Sequence, residues 1–401
     1  MIAITPALSD RIPTGCAPFG TGTWDHLVFG NHRAVIRVDE AADAVCTYLP
    51  WRRRDRHPES KHVLIVSEKT GQPVGNSIAV SCNREYGEIV FEPVDGPGLY
   101  FAYYFVPTPD PQAYTWPRWA FPITRYMVPR SPASPEWAAR QGLTPDAIGA
   151  IQPSAVNWDG MPPEADAAIP RLRGDAIVYS AVWRTLPQAE LVEFQARSEW
   201  DSFFPMEIIA TVNERLSLER RGRHRPFILV PENRRRPIRM TDAIPHVWTT
   251  RSDTELQQLA DDVCQNEYYV FQIGVVAHRE TLADLTATCS ELVGENGARI
   301  PASAITCFNL EGTDQRGTRF TTRLHVPLAT VQALWFGVDI PADAGLATYH
   351  GVVSIAATGL PAQTVEIVLT VSAQTLADRG DGDHWRLSRL RWLNSTRAHD
   401  T

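Results

Sequence analysis

Four carboxylates crowd one stretch of this 401-residue chain: Glu193, Glu199, Asp201 and Glu207, interleaved with Trp200, Phe203 and Phe204. Hydrolysis of a glycosidic bond needs such a pair, one acid to protonate the leaving oxygen and a second group to act as nucleophile, base or stabiliser. Burial among aromatic rings favours the protonated form of a carboxyl group. That nominates Glu207 as the candidate acid and Asp201 as its partner. The competing expectation, which the abundance of arginine favours, is that Glu207 caps a turn or joins a structural ion pair.

Two arginine runs offer the opposite charge. One is Trp51-Arg52-Arg53-Arg54-Asp55-Arg56; the other, from Arg215 to Arg239, holds nine arginines against Glu219 and Glu232. Guanidinium forks suit carboxylates, phosphates and sulfates. In the second run the prolines at 226, 231 and 237 predict an ordered strap whose arginines make salt bridges between domains rather than hold a ligand. Tryptophan rings stack on the C–H faces of sugars, and Trp51, Trp116, Trp119, Trp158 and Trp335 are candidates, although core packing is the commoner fate of tryptophan. Trp51 with Arg52, Arg53 and Arg54 is the best glycan-contact surface the sequence offers.

Other chemistries find little support. His32, His57 and His62 lack a helical spacing with an acidic partner, so they are expected as turn or surface residues and no metal site is predicted. Asp381 and Asp383 sit in a Gly-rich segment without the ligand count of a calcium loop. No nucleophile elbow, phosphate loop or dinucleotide fingerprint occurs, and no cofactor is expected. The six cysteines are scattered and predicted to be reduced, buried thiols.

Composition bounds the rest. The chain is 44% hydrophobic and 21% charged, as globular proteins are, and its net charge of −8 argues against a nucleic-acid-coating surface. No apolar run is long enough for a membrane helix. The N-terminus shows no signal-peptide pattern, which leads to an expectation of the cytoplasm, with the true compartment open.

The elements that must position these residues are mainly β. Short alternating segments from His32 to about Pro107, separated by turns such as Asp95-Gly96-Pro97-Gly98, predict a β-sandwich. A Pro-rich irregular insertion covers about 108–174, with a helix start at Ser134-Pro135-Glu136-Trp137. Extended text resumes and includes Phe204 to Thr211. Ser252 and Glu255 fit a capping box opening a short connecting helix. Long alternating segments then run from Asn266 to Ala373. The expected organisation is 1–250, a β-sandwich region with the insertion; 251–375, an immunoglobulin-like β-sandwich; and 376–401, a charged linker and the start of a further domain. The two sandwiches are expected to be immunoglobulin-like or galactose-binding-like.

Five strings carry a family resemblance: Gly30-Asn31-His32-Arg33-Ala34-Val35; Leu49-Pro50-Trp51-Arg52-Arg53-Arg54-Asp55; Phe203 through Thr211; Pro231-Glu232-Asn233-Arg234 with Pro237 through Asp242; and Leu387 through Ser395. In their order they resemble the N-terminal region of bacterial proteins of glycoside hydrolase family 123. The resemblance implies β-sandwiches preceding a (β/α)₈ catalytic barrel that cleaves β-linked N-acetylgalactosamine with help from the substrate's own acetamido group. It also implies that the barrel begins soon after Leu393, so no catalytic residue is transferred to this chain. The expected role is therefore that of an accessory region that buttresses a barrel, in the parent protein or on a partner subunit, and contacts carbohydrate. The alternatives are a stand-alone hexosaminidase using Glu207 and Asp201, or an interaction module docking through Leu387, Leu390, Trp392 and Leu393.

Overall fold

The computed structural model describes residues 17–55, 58–61, 63–105, 133–143, 182–198, 201, 204–313, 316–383 and 386, together with two short strands near 108 and 124. These residues form two compact units, one ending at Thr211 and the other starting at Val212.

The first unit is built from β1 (Phe19–Thr21), α1 (His26–Phe29), β2 (His32–Val38), β3 (Val45–Leu49), β4 (Leu64–Ser67), β5 (Ser77–Cys82), β6 (Gly87–Phe91) and β7 (Gly98–Tyr103). The small pair β8 (Thr108–Pro109) and β9 (Thr124–Arg125), helix α2 (Pro135–Arg140) and β10 (Gln188–Ala196) complete it. Strand order in the sheet is β4-β7-β2-β10-β3-β6-β5, with β1 alongside β10. Strand β10 joins two halves. Its Glu190–Ala196 part runs antiparallel to β2, its first residues run parallel to β3, and the register shifts between Leu191 and Glu193.

The halves share one core because their alternating side chains meet: Ala34, Ile36, Leu49, Ile89, Phe91, Tyr100, Ala102 and Phe194 all belong to it. Alternation fails at β6, which is buried at every position. Its second face is covered by Trp137 of α2 and by Trp183, which pack with Val80 and Val90. Helix α2 starts as its sequence predicts: the Ser134 hydroxyl accepts from the Trp137 N–H, and Pro135 occupies the first turn.

The second unit opens with α3 (Val212–Arg221), β11 (Ile228–Asn233) and α4 (His246–Thr249). It continues with β12 (Gln258–Gln265), β13 (Tyr268–Val276), β14 (Thr286–Cys289), β15 (Leu292–Gly294), β16 (Arg299–Ile300), β17 (Ile305–Cys307), β18 (Glu311–Thr313) and β19 (Arg319–Thr321). The long strands β20 (Val331–Asp339), β21 (Thr348–Ala356) and β22 (Gln363–Thr375) end it. One sheet runs β11-β13-β20-β17; the other runs β12-β22-β21-β15-β16, with β14 also on β21. Phe271, Ile273 and Phe336 from the first meet Val353, Ile367 and Leu369 from the second in one core, which makes this a sandwich. The fold is mainly β.

Three features depart from the sequence expectation. The break between units falls after Thr211 rather than near 250, because β11 pairs with β13 over six residues and so belongs to the second sandwich. The stretch from Phe204 to Thr211 is a 3₁₀ turn (Pro205–Glu207) rather than a strand, and a ten-residue helix follows it. Ser252 and Glu255 form the reciprocal bonds of a capping box (2.8 and 3.3 Å), but around a turn, with no helix beyond it.

The segment after β22 is a hydrogen-bonded strap rather than a solvated linker. Arg379 pairs with Asp339 at 2.6 Å, its carbonyl accepts from the Tyr268 N–H, and Arg386 reaches buried Glu267 at 2.8 Å. Leu387, Leu390, Trp392 and Leu393 lie outside the described residues.

Candidate functional site

The Trp51–Asp55 run turns into the first unit instead of out of it. Arg52 takes a left-handed conformation (φ 47°), and the N–H groups of Arg52 and Arg53 donate to the carbonyls of Glu85 and Arg84. Trp51 is 1% exposed, and its indole N–H donates to the Asn83 carbonyl at 2.8 Å. The Arg53 side chain is wholly buried and donates to both oxygens of Asp55 at 2.9 and 2.7 Å, while Lys61 reaches the same carboxylate at 2.5 Å. The Arg53 guanidinium also lies 4.8 Å from the Trp51 ring and 4.5 Å from that of Phe105. Burial alone would push the Asp55 carboxyl up, but hydrogen bonds and charge from Arg53 and Lys61 outweigh it and hold the group below its ordinary range.

Arg54 points the other way and pairs with Glu207 at 2.9 Å. Asp201 accepts from Asn31 (3.1 Å), Ser198 (3.0 Å) and Arg197, and its backbone carbonyl accepts from His32 Nε2 at 2.5 Å. Burial lowers the His32 pKa, against the opposing effects of that bond and of the Asp201 and Glu207 charges.

Both candidate carboxylates therefore lie near His32, but each is engaged in a structural contact: a guanidinium beside Glu207, three donors around Asp201. This is the arrangement of an ion pair and a loop clasp, not of a proton donor facing an open cleft. Among the ligand candidates, Trp51 and Arg53 have no accessible face, Arg52 donates to the Ile209 carbonyl at 3.3 Å, and Arg54 alone is half-exposed.

The remaining predicted residues are dispersed. Trp116, Trp119, Trp158, His57 and His62 fall outside the described residues. Trp335 is half-buried against Tyr268, Val270 and Phe308. Several members of the second arginine run make contacts within the second unit. Arg221 donates to the carbonyls of Arg251 and Thr249, Arg234 pairs with Glu267, and Arg215 pairs with Glu219. Buried Glu232, on the same run, accepts from Arg251 and from the Trp248 indole, and burial raises its carboxyl pKa. Among the described residues no cluster of His, Cys, Asp and Glu could hold a metal ion, and no helix is long and apolar enough to cross a membrane.

A different constellation lies on the face of β2, β7 and β10 turned away from the core. Register places Arg33 between Tyr103 and Gln195, and Val35 between Phe101 and Glu193. A polar ladder results: Gln195 donates to Glu193 at 2.5 Å, and Arg33 donates to Gln195 at 2.7 Å and to the Tyr103 hydroxyl at 3.1 Å. Arg33 and Tyr103 are themselves buried, and the half-buried rings of Trp24, Phe29 and Phe101 flank them. The Arg33 guanidinium lies 3.7 Å from the centre of Phe101 and 4.5 Å from that of Trp24, and Phe29 stacks on Tyr103 at 4.6 Å. Two glycines in and beside β1 leave the ladder its room: a Cβ at Gly20 would stand 2.6 Å from Glu193 Oε2, and one at Gly22 would stand 2.5 Å from Gln195 Oε1. Sequence reasoning missed this face. Its signal was the outward phase of β2 and β7, which sends Arg33, Phe101 and Tyr103 to one side.

Comparison with known proteins bears on the same unit. Residues 22–157 match the model of the glycoside hydrolase 123 N-terminal domain. This stretch is similar to a glycoside hydrolase 123 N-terminal domain. The matched stretch contains the Trp51–Asp55 run, Trp24, Arg33 and Phe101. Among solved structures, a family 123 glycoside hydrolase from Clostridium perfringens, studied for glycolipid glycan hydrolysis, aligns at 16% identity over 30% of this chain with a TM-score of 0.25. The aligned part spans 23% of that enzyme's length. MyfA, the major subunit of Myf fimbriae from Yersinia enterocolitica, aligns at 12% identity over 27% of this chain and 86% of its own, with a TM-score of 0.19. No curated protein matches the chain.

Proposed function

We propose that this chain is the N-terminal accessory part of a family 123-like glycoside hydrolase, supporting a catalytic barrel and contacting glycan without performing the hydrolysis itself. The match of residues 22–157 to the family's N-terminal domain supports this reading. The engagement of Glu207 by Arg54 and of Asp201 by Arg197, Ser198 and Asn31 weighs against a catalytic pair within the chain.

The glycan contact falls on the ladder face of the first unit. Half-buried rings supply stacking area for the C–H face of a pyranose, and Glu193 and Gln195 supply acceptors and a donor for its hydroxyls. Trp51, Arg52 and Arg53 hold the domain together. The ligand class is an oligosaccharide ending in β-linked N-acetylgalactosamine, as the family resemblance implies.

The test is an assay of the purified chain for release of N-acetylgalactosamine from a β-linked chromogenic substrate. No turnover is expected. Turnover that disappears in Glu207→Gln would overturn the reading and make the chain a glycosidase in its own right.

A further inference from the structure

Cysteines 289 and 307 end two edge strands of the second sandwich. Strand β14 pairs with β21, and β17 pairs with β20, each at the margin of its sheet. At the opposite margin the strands β11 and β12 pack together, so the margin carrying β17 lies over the one carrying β14. Cys289 stands opposite Val353 in register, and Cys307 stands opposite Phe336. Val353 and Phe336 both point into the shared core, and antiparallel partners project to the same face. Both thiols are therefore aimed inward from facing sheets. Cys307 belongs to that core, and Cys289 packs against it. They are also near enough for charge on Cys289 to disfavour ionisation of Cys307.

The other described cysteines have no such arrangement. Cys264 lies on β12 at the far margin, where its sulfur accepts from Ser372, and Cys46 and Cys82 belong to the other unit.

We propose that Cys289 and Cys307 are a redox pair that closes an inter-sheet disulfide by exchange with a small-molecule disulfide such as oxidised glutathione. Cys289, the more exposed, loses its proton and attacks one glutathione sulfur, forming a mixed disulfide and releasing one glutathione thiolate. Cys307, deprotonated in turn, attacks the Cys289 sulfur and displaces the second glutathione thiolate. The two thiolates released take up two protons. In sum, two cysteine thiols are oxidised and one glutathione disulfide is reduced to two thiols.

Burial pushes the Cys289 thiol up to about 11 and the Cys307 thiol up to about 12, so little thiolate exists near neutrality. The pair is reduced as folded and closes slowly. The rate should rise by about tenfold per pH unit between neutrality and mild alkali.

The experiment incubates the intact native chain with oxidised glutathione at mildly alkaline pH, blocks remaining thiols before unfolding, and maps cross-linked peptides by mass. The expected product joins the peptides of Cys289 and Cys307, weighs two hydrogens less than the reduced pair, and melts higher by about 5 °C. The shift should vanish in both Cys289→Ser and Cys307→Ser. A stable glutathione adduct on Cys289, a cross-link to another cysteine, or no modification of Cys307 would overturn the proposal. Because the mapping uses the unsubstituted protein, a variant that fails to fold does not blur the result. The test also reads no glycan binding, so it stands apart from the functional assignment.

Discussion

The indole of Trp51 occupies the space where a side chain at position 87 would stand. A Cβ on Gly87 would lie 2.7 Å from Cζ2 of the ring and closer still to Cη2. Gly87 pairs with Leu49 across β3 and β6, two residues before Trp51, so the chain turns its tryptophan back over the strand it has just paired with. A motif that reads as an exposed sugar platform is in fact a lid on the domain's own core.

It follows that Trp51→Ala should destabilise the first unit by about 3–5 kcal/mol, the cost of removing a large ring from a packed site. Gly87→Ala should cost about 1–3 kcal/mol by overpacking the same contact. Denaturant unfolding followed by tryptophan fluorescence checks both.

Neighbouring arginines should behave differently. Arg53→Ala removes a wholly buried guanidinium, leaves half-buried Asp55 with Lys61, and should cost about 3–5 kcal/mol. Arg54→Ala removes a half-exposed partner of Glu207 and should cost about 0–1 kcal/mol. Equal effects in chemical denaturation would contradict the burial assigned to the run.

A pH dependence follows from two histidines. Burial lowers the pKa of His32 and of His278, so the folded state resists a proton that the unfolded state accepts. Their stabilising contribution is full above the unfolded value of about 6.5 and is lost as pH falls toward the depressed folded values. Melting temperature should drop between pH 7 and 5, and the His32→Gln variant should show a smaller drop.

The strap offers a further check. Glu267 is fully buried, and Arg234, Arg386 and the Cys264 N–H all donate to it. Glu267→Ala should cost about 3–5 kcal/mol by leaving two guanidinium groups without their carboxylate. Release of the strap should appear as faster limited proteolysis after Thr375.

What the sequence conveys about this fold follows its alternation. Strands β2, β7, β20 and β22 place apolar residues at every second position, and Ser134-Pro135 marks a helix start by capping chemistry alone. Helix α3 was silent because its only buried residue is Leu218, which leaves no apolar stripe to detect. Burial of Trp51 and Arg53 was equally hidden. It depends on Gly87, Tyr104 and Phe105, residues distant in the chain that local pattern cannot bring to the run. The ladder at Arg33 needed the register of three strands, two of them separated from β2 by tens of residues.

Gly22 tests whether that ladder is a built feature. Gly22→Ala should push Gln195 and Arg33 apart, since a methyl there meets both side chains. The methyl also stands 2.9 Å from the Trp24 ring, so that ring must shift with the two polar ends, and glycan affinity should fall by about tenfold, equivalent to ~1.4 kcal/mol.

The most direct test of the account is calorimetric titration of the intact chain with an oligosaccharide ending in β-linked N-acetylgalactosamine, comparing Trp24→Ala with Trp335→Ala. Binding is expected that Trp24→Ala weakens by about tenfold or more while the chain stays folded, with the affinity of Trp335→Ala indistinguishable from that of the unsubstituted protein. Equal affinity for Trp24→Ala and the unsubstituted chain, or no binding at all, would contradict the assignment of the ladder face as the glycan contact.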